Sequence, residues 1–445
     1  MSEHGLAEGE GTLLITDVLG YIWLLWLVPA PCFVYFFISY LREGGRFVNK
    51  DLGEPIPRNA KILFQITSRN CPPIVHDAVN RVIEVAAGTR YRNYRIDVVT
   101  DREATVPGAN MIVVPRAYQT RNHARFKSRS LHYAVEYRRL RQDNTSDTWI
   151  LHLDEESFIT RQTLISILKY LGRPEPALVA EGPIIYPNKM FEVGITRYSE
   201  SLRPYTCYNC VSQMTSSVPL TMHGSNLLVR ADVEDSIGWD FEGIGASEDQ
   251  RFGHEVWRKK GSVFGWHGGL LEEQPPLTVS DLIHQRRRWL LGNISNARVG
   301  KLPWQKRVNF MVQTTSWIVG FPAGIATMLA FILPQNIPLW LHVLLVGSTL
   351  LWLLSYQIGL AHNIQPFHFP QSRRIKEHVT MLILTVPLGL LETYAAFTAP
   401  FHSRGWVWVS APKSRSESFF PNLLPGFPSA FVAPAHSIRK GGGGP

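Results

Sequence analysis

Four long uncharged runs at the two ends of the chain restrict its architecture more than any other feature. Val18 to Leu41, Phe310 to Leu333 and Ile337 to His362 contain no Asp, Glu, Lys or Arg, and Val379 to Phe401 contains only Glu392. Each is long enough to cross a hydrocarbon layer of roughly 30 Å at about 1.5 Å per residue. Buried core helices are the alternative, but four such runs rich in Trp, Leu and Phe at the chain ends favour membrane spans. The first run is no cleavable leader in character: Glu3, Glu8, Glu10 and Asp17 precede it where a basic cluster would be needed.

Basic residues flank the runs and set the expected orientation. Arg42, Arg46 and Lys50 follow the first; Arg298, Lys301, Lys306 and Arg307 precede the second; Arg373, Arg374 and Lys376 follow the third. The expected organisation is an extracytosolic N-terminus (1–17), a span (18–41), a cytosolic domain (42–300) ending in an interfacial helix (278–297), three further spans within 308–401 (310–333, 337–362, 379–401), and a disordered Pro/Ser/Gly-rich tail (402–445). Pro387 and Glu392 leave the last segment open to a re-entrant course. The net charge of +9 fits basic juxtamembrane segments on anionic lipid better than nucleic-acid binding, since the charge clusters at the boundaries. Cys32, Cys71, Cys207 and Cys210 form no disulfide framework. Cys207 and Cys210 make a single CxxC, half of a zinc site at most, read as an ordinary reduced loop.

Between the spans the pattern becomes α/β. Lys61 to Thr67, Arg95 to Thr100, Met111 to Val114, Trp149 to Leu153 and Leu178 to Ala180 read as strands, several continuously apolar as in a sheet covered on both faces. Ile74 to Ala87, Arg125 to Arg141 and Thr160 to Leu171 read as helices. The alternation predicts a mainly parallel, Rossmann-like sheet with its ligands beyond the strands' carboxyl ends. Neither GxGxxG nor GxxxxGK[ST] occurs, so a bound nucleotide would need another phosphate anchor, usually Mg²⁺ or Mn²⁺ on carboxylates.

Four constellations carry chemistry. Trp149 to Leu153 ends in Asp154-Glu155-Glu156; on an extended segment Asp154 and Glu156 would share a cation while Glu155 points away, unless the acids serve the N-terminus of the next helix. Asp101 ends an earlier strand, as a base- or ribose-binding group or a turn residue. Ser247-Glu248-Asp249 precedes a helix from Gln250 to Lys259 and offers either a general base or a cap. Gln285-Arg286-Arg287-Arg288-Trp289 lies on a helix starting near Thr278, whose spacing to Asp281 suits a capping box. That helix could rest in a membrane interface, or present Arg288 to a departing diphosphate and Trp289 to a sugar ring.

In this order the four sites resemble glycosyltransferase family 2, which contains the cellulose, chitin and hyaluronan synthases: an Asp after an early strand, a DxD-type motif, a (T/S)ED-type motif and QxxRW. The stretches IDVVTD (96–101), IVVPRAY (112–118), FKSRSLH (126–132), WILHLDEE (149–156), GASED (245–249) and QRRRWLLG (285–292) resemble the egghead-type β-1,4-mannosyltransferases more closely still. The resemblance covers roughly residues 60–300. The metal motif departs from strict DxD, and nothing from Asn188 to Val218 matches.

The resemblance implies a GT-A-type α/β domain flanked by transmembrane helices and an inverting hexosyl transfer, mannose from GDP-mannose in β-1,4 linkage to a glycolipid such as glucosylceramide. It implies Mg²⁺ or Mn²⁺ on Asp154 and Glu156, donor contacts from Asp101, Thr67, Lys127, Arg129 and Asp154, and catalysis by Asp249, Glu248, Arg288, Trp289 and Gln285. Trp289, Gly224 and Ser225 would border the acceptor, although 223–225 also reads as a tight turn. The partners are then a nucleotide-sugar, a lipid-linked acceptor and a membrane (Golgi or ER in a eukaryote, plasma membrane in a bacterium), without nucleic acid. A processive polysaccharide synthase using a UDP-sugar and an inactive nucleotide-sugar-binding scaffold are the rivals.

Overall fold

A computed structural model describes residues 23–53, 60–187, 195–216, 219–241, 246–299, 302–330 and 338–402. The expected N-terminal segment 1–17, the tail beyond His402, and Gly243 and Gly245 lie outside the described residues.

Seven strands form the main sheet, in the order β3-β2-β1-β4-β8-β6-β9. They are β1 (Lys61–Ser68), β2 (Tyr94–Thr100), β3 (Asn110–Val113), β4 (Thr148–Asp154), β6 (Val179–Glu181), β8 (Leu227–Arg230) and β9 (Phe264–Trp266). β1 pairs in parallel with β2 and β4, β2 with β3, and β6 with β9, whereas β8 runs antiparallel between β4 and β6. A second sheet joins β5 (Ser157–Ile159), β10 (Leu271–Glu273) and β7 (Ile184–Ile185), with β10 in the middle. In register Thr67 faces both Val99 and Asp154, so Thr67, Asp101 and Asp154 emerge at one end of the sheet. Glu273 pairs with Ser157 and is thereby brought beside the acidic turn.

The near-continuous apolar strands are explained by helices on both faces. On one face α2 (Pro73–Gly88) lays Ile74, Ala78 and Val82 on Ile62, Phe64 and Leu151, joined by α4 (Arg161–Leu171), which Thr160 caps. On the other, α3 (Phe126–Leu140), α6 (Leu202–Ser216), α7 (Ala231–Ile237) and α8 (Glu248–Lys260) enclose Val179, Val229, Trp239 and Phe252. α1 (Ala30–Glu43) precedes the domain, and α5 (Thr196–Ser199) leads into α6. α9 (Val279–Val299) closes it, with the expected reciprocal Thr278–Asp281 hydrogen bonds at its start (3.1 and 3.2 Å).

The CxxC expected in a loop lies within α6. Its residues from Tyr205 to Met214 are nearly all buried, so the helix carries no polar stripe by which periodicity could reveal it. The acids after β4 also differ from expectation. Glu155 and Glu156 occupy a turn and β5 follows before α4, so neither strand alternation nor the helix N-terminus describes them.

Among the described residues, three helices are long and apolar enough to cross a membrane: Leu24–Glu43, which includes α1; Leu339–Phe367, which includes α11 (Leu339–Ile364); and Gln371–His402, which includes α12 (Gln371–Thr398). The fourth expected run lies largely in α10 (Trp304–Ala330), a 27-residue helix. Residues 331–333 of that run lie outside the described residues. α12 continues unbroken through Pro387.

Candidate active site

A cavity of about 680 Å³ opens at the carboxyl ends of β1 and β4. Its lining includes Thr67, Asp101, Lys127, Arg129, Asp154, Glu156, Gly224, Ser225, Glu248, Asp249, Gln285, Arg288 and Trp289, every residue for which the sequence predicts a donor, metal, acceptor or catalytic role. Residues up to 222 positions apart, Thr67 and Trp289, converge because strand ends, helix starts and the middle of α9 face the same edge.

Lys127, on the first turn of α3, binds the centre together. Its ammonium is paired with the Asp154 carboxylate, donates to the Gly224 carbonyl (3.0 Å) and lies 4.0 Å from Glu248 Oε1. Burial alone would lower its pKa, but Asp154, Glu248 and Asp249 outweigh that and hold it above the ordinary lysine range. Gly224 packs against the same groups: an added Cβ would stand 2.9 Å from Lys127 Nζ and 3.1 Å from Asp249 Oδ2, and would push those side-chain ends aside.

Glu248 and Asp249 open α8 after Ser247, which adopts a left-handed backbone (φ 56°, ψ 47°) uncommon for a residue with a side chain. α9 holds this turn in place. Asn296 Nδ2 donates to the Ser247 carbonyl (3.0 Å), and a Cβ on Gly292 would come within 2.8 Å of the Ala246 carbonyl. Burial, then the Asp249 charge, raises the Glu248 pKa to about 7; burial likewise raises Asp249, against the pull of Lys127.

Asp101 accepts from Arg129 Nη2 (2.8 Å), whose other amino group donates to the carbonyls of Pro115 and Tyr118 (3.0 and 3.2 Å). The Thr67 hydroxyl is buried without a hydrogen-bond partner among the described residues. Asp154 keeps 34% of its side chain exposed, and with Glu156 and Glu155 it faces the cavity. This all-oxygen donor set fits a hard divalent cation. Ser157 Oγ accepts from the Asp154 amide (3.1 Å) and bonds Ser225 Oγ (2.7 Å) and Glu273 Oε1 (2.9 Å).

The three arginines of QRRRW part company. Arg286 is fully buried and joins Glu200 (2.7 Å) to Glu392 (3.2 Å); Arg287 donates to Thr398 Oγ1 on α12; Arg288 lines the cavity. The guanidinium carbons of Arg203 and Arg286 lie 4.3 and 4.4 Å from the Trp289 ring centroid, so part of the indole expected to carry a sugar already packs on arginine. Glu273 and Arg203 also line the cavity. The sequence did not single them out, because each gains its position only through pairing or packing across the fold. Burial, then Asp154 and Glu156, raises the Glu273 pKa to about 7.

The cavity does not end at the polar groups. Trp26, Cys32, Phe33, Ser316, Gly320, Gly324, Trp352 and Leu390 extend its wall between the apolar helices.

Known proteins are similar to this chain in sequence. The β-1,4-mannosyltransferase bre-3 of Caenorhabditis briggsae is 24% identical over 343 residues, 74% of this chain and 73% of that protein. The β-1,4-mannosyltransferase egh of Drosophila melanogaster is 29% identical over 275 residues, 60% of this chain and 59% of that protein. Among solved structures, the mannosyltransferase PcManGT from Pyrobaculum calidifontis, in complex with GDP-Man and Mn²⁺, aligns with a TM-score of 0.49 at 12% identity, covering 83% of this chain and 99% of that one. The profile of the glycosyl transferase family group 2 matches residues 149–409. With more than half its length in that match, and with a GT-A-like, mainly parallel sheet, this chain belongs to glycosyl transferase family 2 and is a glycosyltransferase.

Proposed function

We propose that the protein transfers mannose from GDP-mannose, with inversion and in β-1,4 linkage, to a glycolipid whose terminal sugar is glucose, such as glucosylceramide. The observation that carries the lipid part is the cavity itself, whose wall passes from Asp154 and Asp249 to Cys32, Gly320 and Leu390 without leaving the protein. A sugar headgroup at the carboxylates can thus stay joined to a tail among the apolar helices. The mannose assignment is supported by the named activity of the two animal relatives.

In the proposed mechanism the acceptor hydroxyl attacks the anomeric carbon as the bond to the diphosphate breaks, and its proton passes to Asp249. Burial raises the basicity of that carboxylate, which suits it to accept a proton. Asp101, Thr67 and Arg129 hold the nucleoside side of the donor, and Lys127 stands by its phosphates. Arg288 offsets the charge of the leaving diphosphate, and Gln285, Glu248 and Trp289 frame the reacting groups. Asp154 and Glu156 would hold Mg²⁺ or Mn²⁺, which when bound neutralises diphosphate charge. Gly224 and Ser225 border the acceptor.

The basic flanks support a cytosolic site, with residues 42–300 in the cytosol and the apolar helices in a Golgi or ER membrane of a eukaryotic host or the plasma membrane of a bacterial one. The test is incubation of the purified protein with a panel of nucleotide sugars and glucosylated lipids, followed by product linkage analysis. A single β-1,4-linked mannose on the lipid, absent with Asp249→Asn although donor binding persists, is expected. Long product ladders would point instead to a processive synthase, and donor left unconsumed with Mn²⁺ or Mg²⁺ present would point to a scaffold.

A further inference from the structure

In the wall of the sugar cavity, which Cys210 and His223 help to line, stands a cluster of metal-ligating side chains that the transfer mechanism does not use. Cys207 and Cys210 lie one turn apart on α6 and are 1% and 4% exposed. Their sulfurs converge on a single atom, His223 Nε2, at 3.5 and 3.6 Å. Glu181, at the end of β6, is fully buried, and it offers a carboxylate oxygen within 4.8 Å of the Cys210 sulfur and a His223 ring nitrogen. Glu181 Oε1 accepts from the His223 amide (2.6 Å), while Oε2 has no hydrogen-bond partner among the described residues.

Hydrogen bonding alone explains this arrangement poorly. One imidazole nitrogen holds one lone pair or one proton and satisfies one of two thiols; Cys210 Sγ also reaches the Thr206 carbonyl (4.0 Å) and Thr221 Oγ1 (3.7 Å) at the long end of the range, and the buried Glu181 Oε2 is left over. A tetrahedral ion accounts for all of it. With Zn–S near 2.3 Å and Zn–N near 2.0 Å, ligand sulfur and nitrogen stand about 3.5 Å apart, the separation found here. We propose that Cys207, Cys210 and His223, completed by Glu181, form a structural zinc site. Thiolate and imidazole select zinc over the hard cations suited to Asp154 and Glu156, so this inference does not rest on the sugar-transfer assignment.

The site would staple three separate pieces of chain: α6, the segment before β8, and the end of β6. α6 packs against the apolar helices α1 and α11, and Gly224, next to His223, presents its carbonyl to Lys127. The ion therefore ties the membrane-side layer to the wall of the cavity.

Full-length protein, purified in detergent without chelator, is assayed for zinc by elemental mass spectrometry and for thiol alkylation by peptide mapping. One zinc per chain is expected in the wild type and in Asp154→Asn, with near-complete loss in the Cys207→Ser/Cys210→Ser double variant. In the wild type, Cys207 and Cys210 should resist alkylation until a strong chelator is added, while Cys71 reacts throughout. If the double variant fails to fold, replacement by Co²⁺ in the wild type supplies the readout: a thiolate-to-cobalt charge-transfer band is expected. Wild-type protein that neither retains zinc nor develops that band, or whose Cys207 and Cys210 are joined as a disulfide, overturns the site.

Discussion

An ammonium group set among Asp154, Glu248 and Asp249 lets three carboxylates share a space that would otherwise repel them apart. The arrangement is tight at Gly224, where a Cβ would meet Lys127 and Asp249 together and displace their side-chain ends. Gly224→Ala is therefore expected to lower kcat by about tenfold or more through misplacement of the base, with the fold intact by circular dichroism; an unchanged kcat would mean that this crowding has no bearing on turnover. The carboxylate pair also sets a pH dependence. Burial raises both groups, and Asp249 must be ionised to act, so activity is lost as pH falls through a value above the ordinary carboxylate range. Lys127→Met removes the charge that opposes burial, raises the pKa of Asp249, and should move the acid limb of kcat/KM to higher pH. An acid limb that stays put would take the proton-accepting role away from Asp249. The motif residues were legible because acids and arginines after apolar strands are locally conspicuous. Glu273 was not, since only its pairing with Ser157 across the second sheet brings it to the acids.

Strands and helices of the catalytic domain announced themselves through periodicity, and β1, β2, β4, α2 and α4 lie within one or two residues of expectation. α6 did not, for burial on nearly every side erases the stripe that periodicity detects. Its neighbour α11 approaches so closely that a Cβ on Gly359 would overlap the backbone carbonyl of Ser201. Gly359→Ala should force the two apart and cost about 1–3 kcal/mol, as overpacking does, seen as a lower thermal midpoint in detergent; an unaltered midpoint would show that the contact is slack.

At the scale of the whole molecule, the catalytic domain and the apolar helices share a core. Arg286 of α9 is clamped between Glu200 and Glu392 of α12, and Leu290 and Leu291 pack on Ala396 and Ala399. Excising residues 60–299 would strip that cover and leave Arg286 with one of its two carboxylate partners, so the fragment is expected to aggregate in size-exclusion chromatography without detergent. A monodisperse, active fragment would contradict this shared core. Apolar runs, alternating strands and clustered acids act through neighbours in the chain, so the sequence by itself determined the membrane-anchored α/β plan and the identity of the polar groups. Tertiary structure alone decided what depends on distant partners: the insertion of Lys127 among the acids, the burial of Arg286, and the convergence of Cys207, Cys210, His223 and Glu181. These contacts join segments whose separation is set by packing, and no local pattern encodes it.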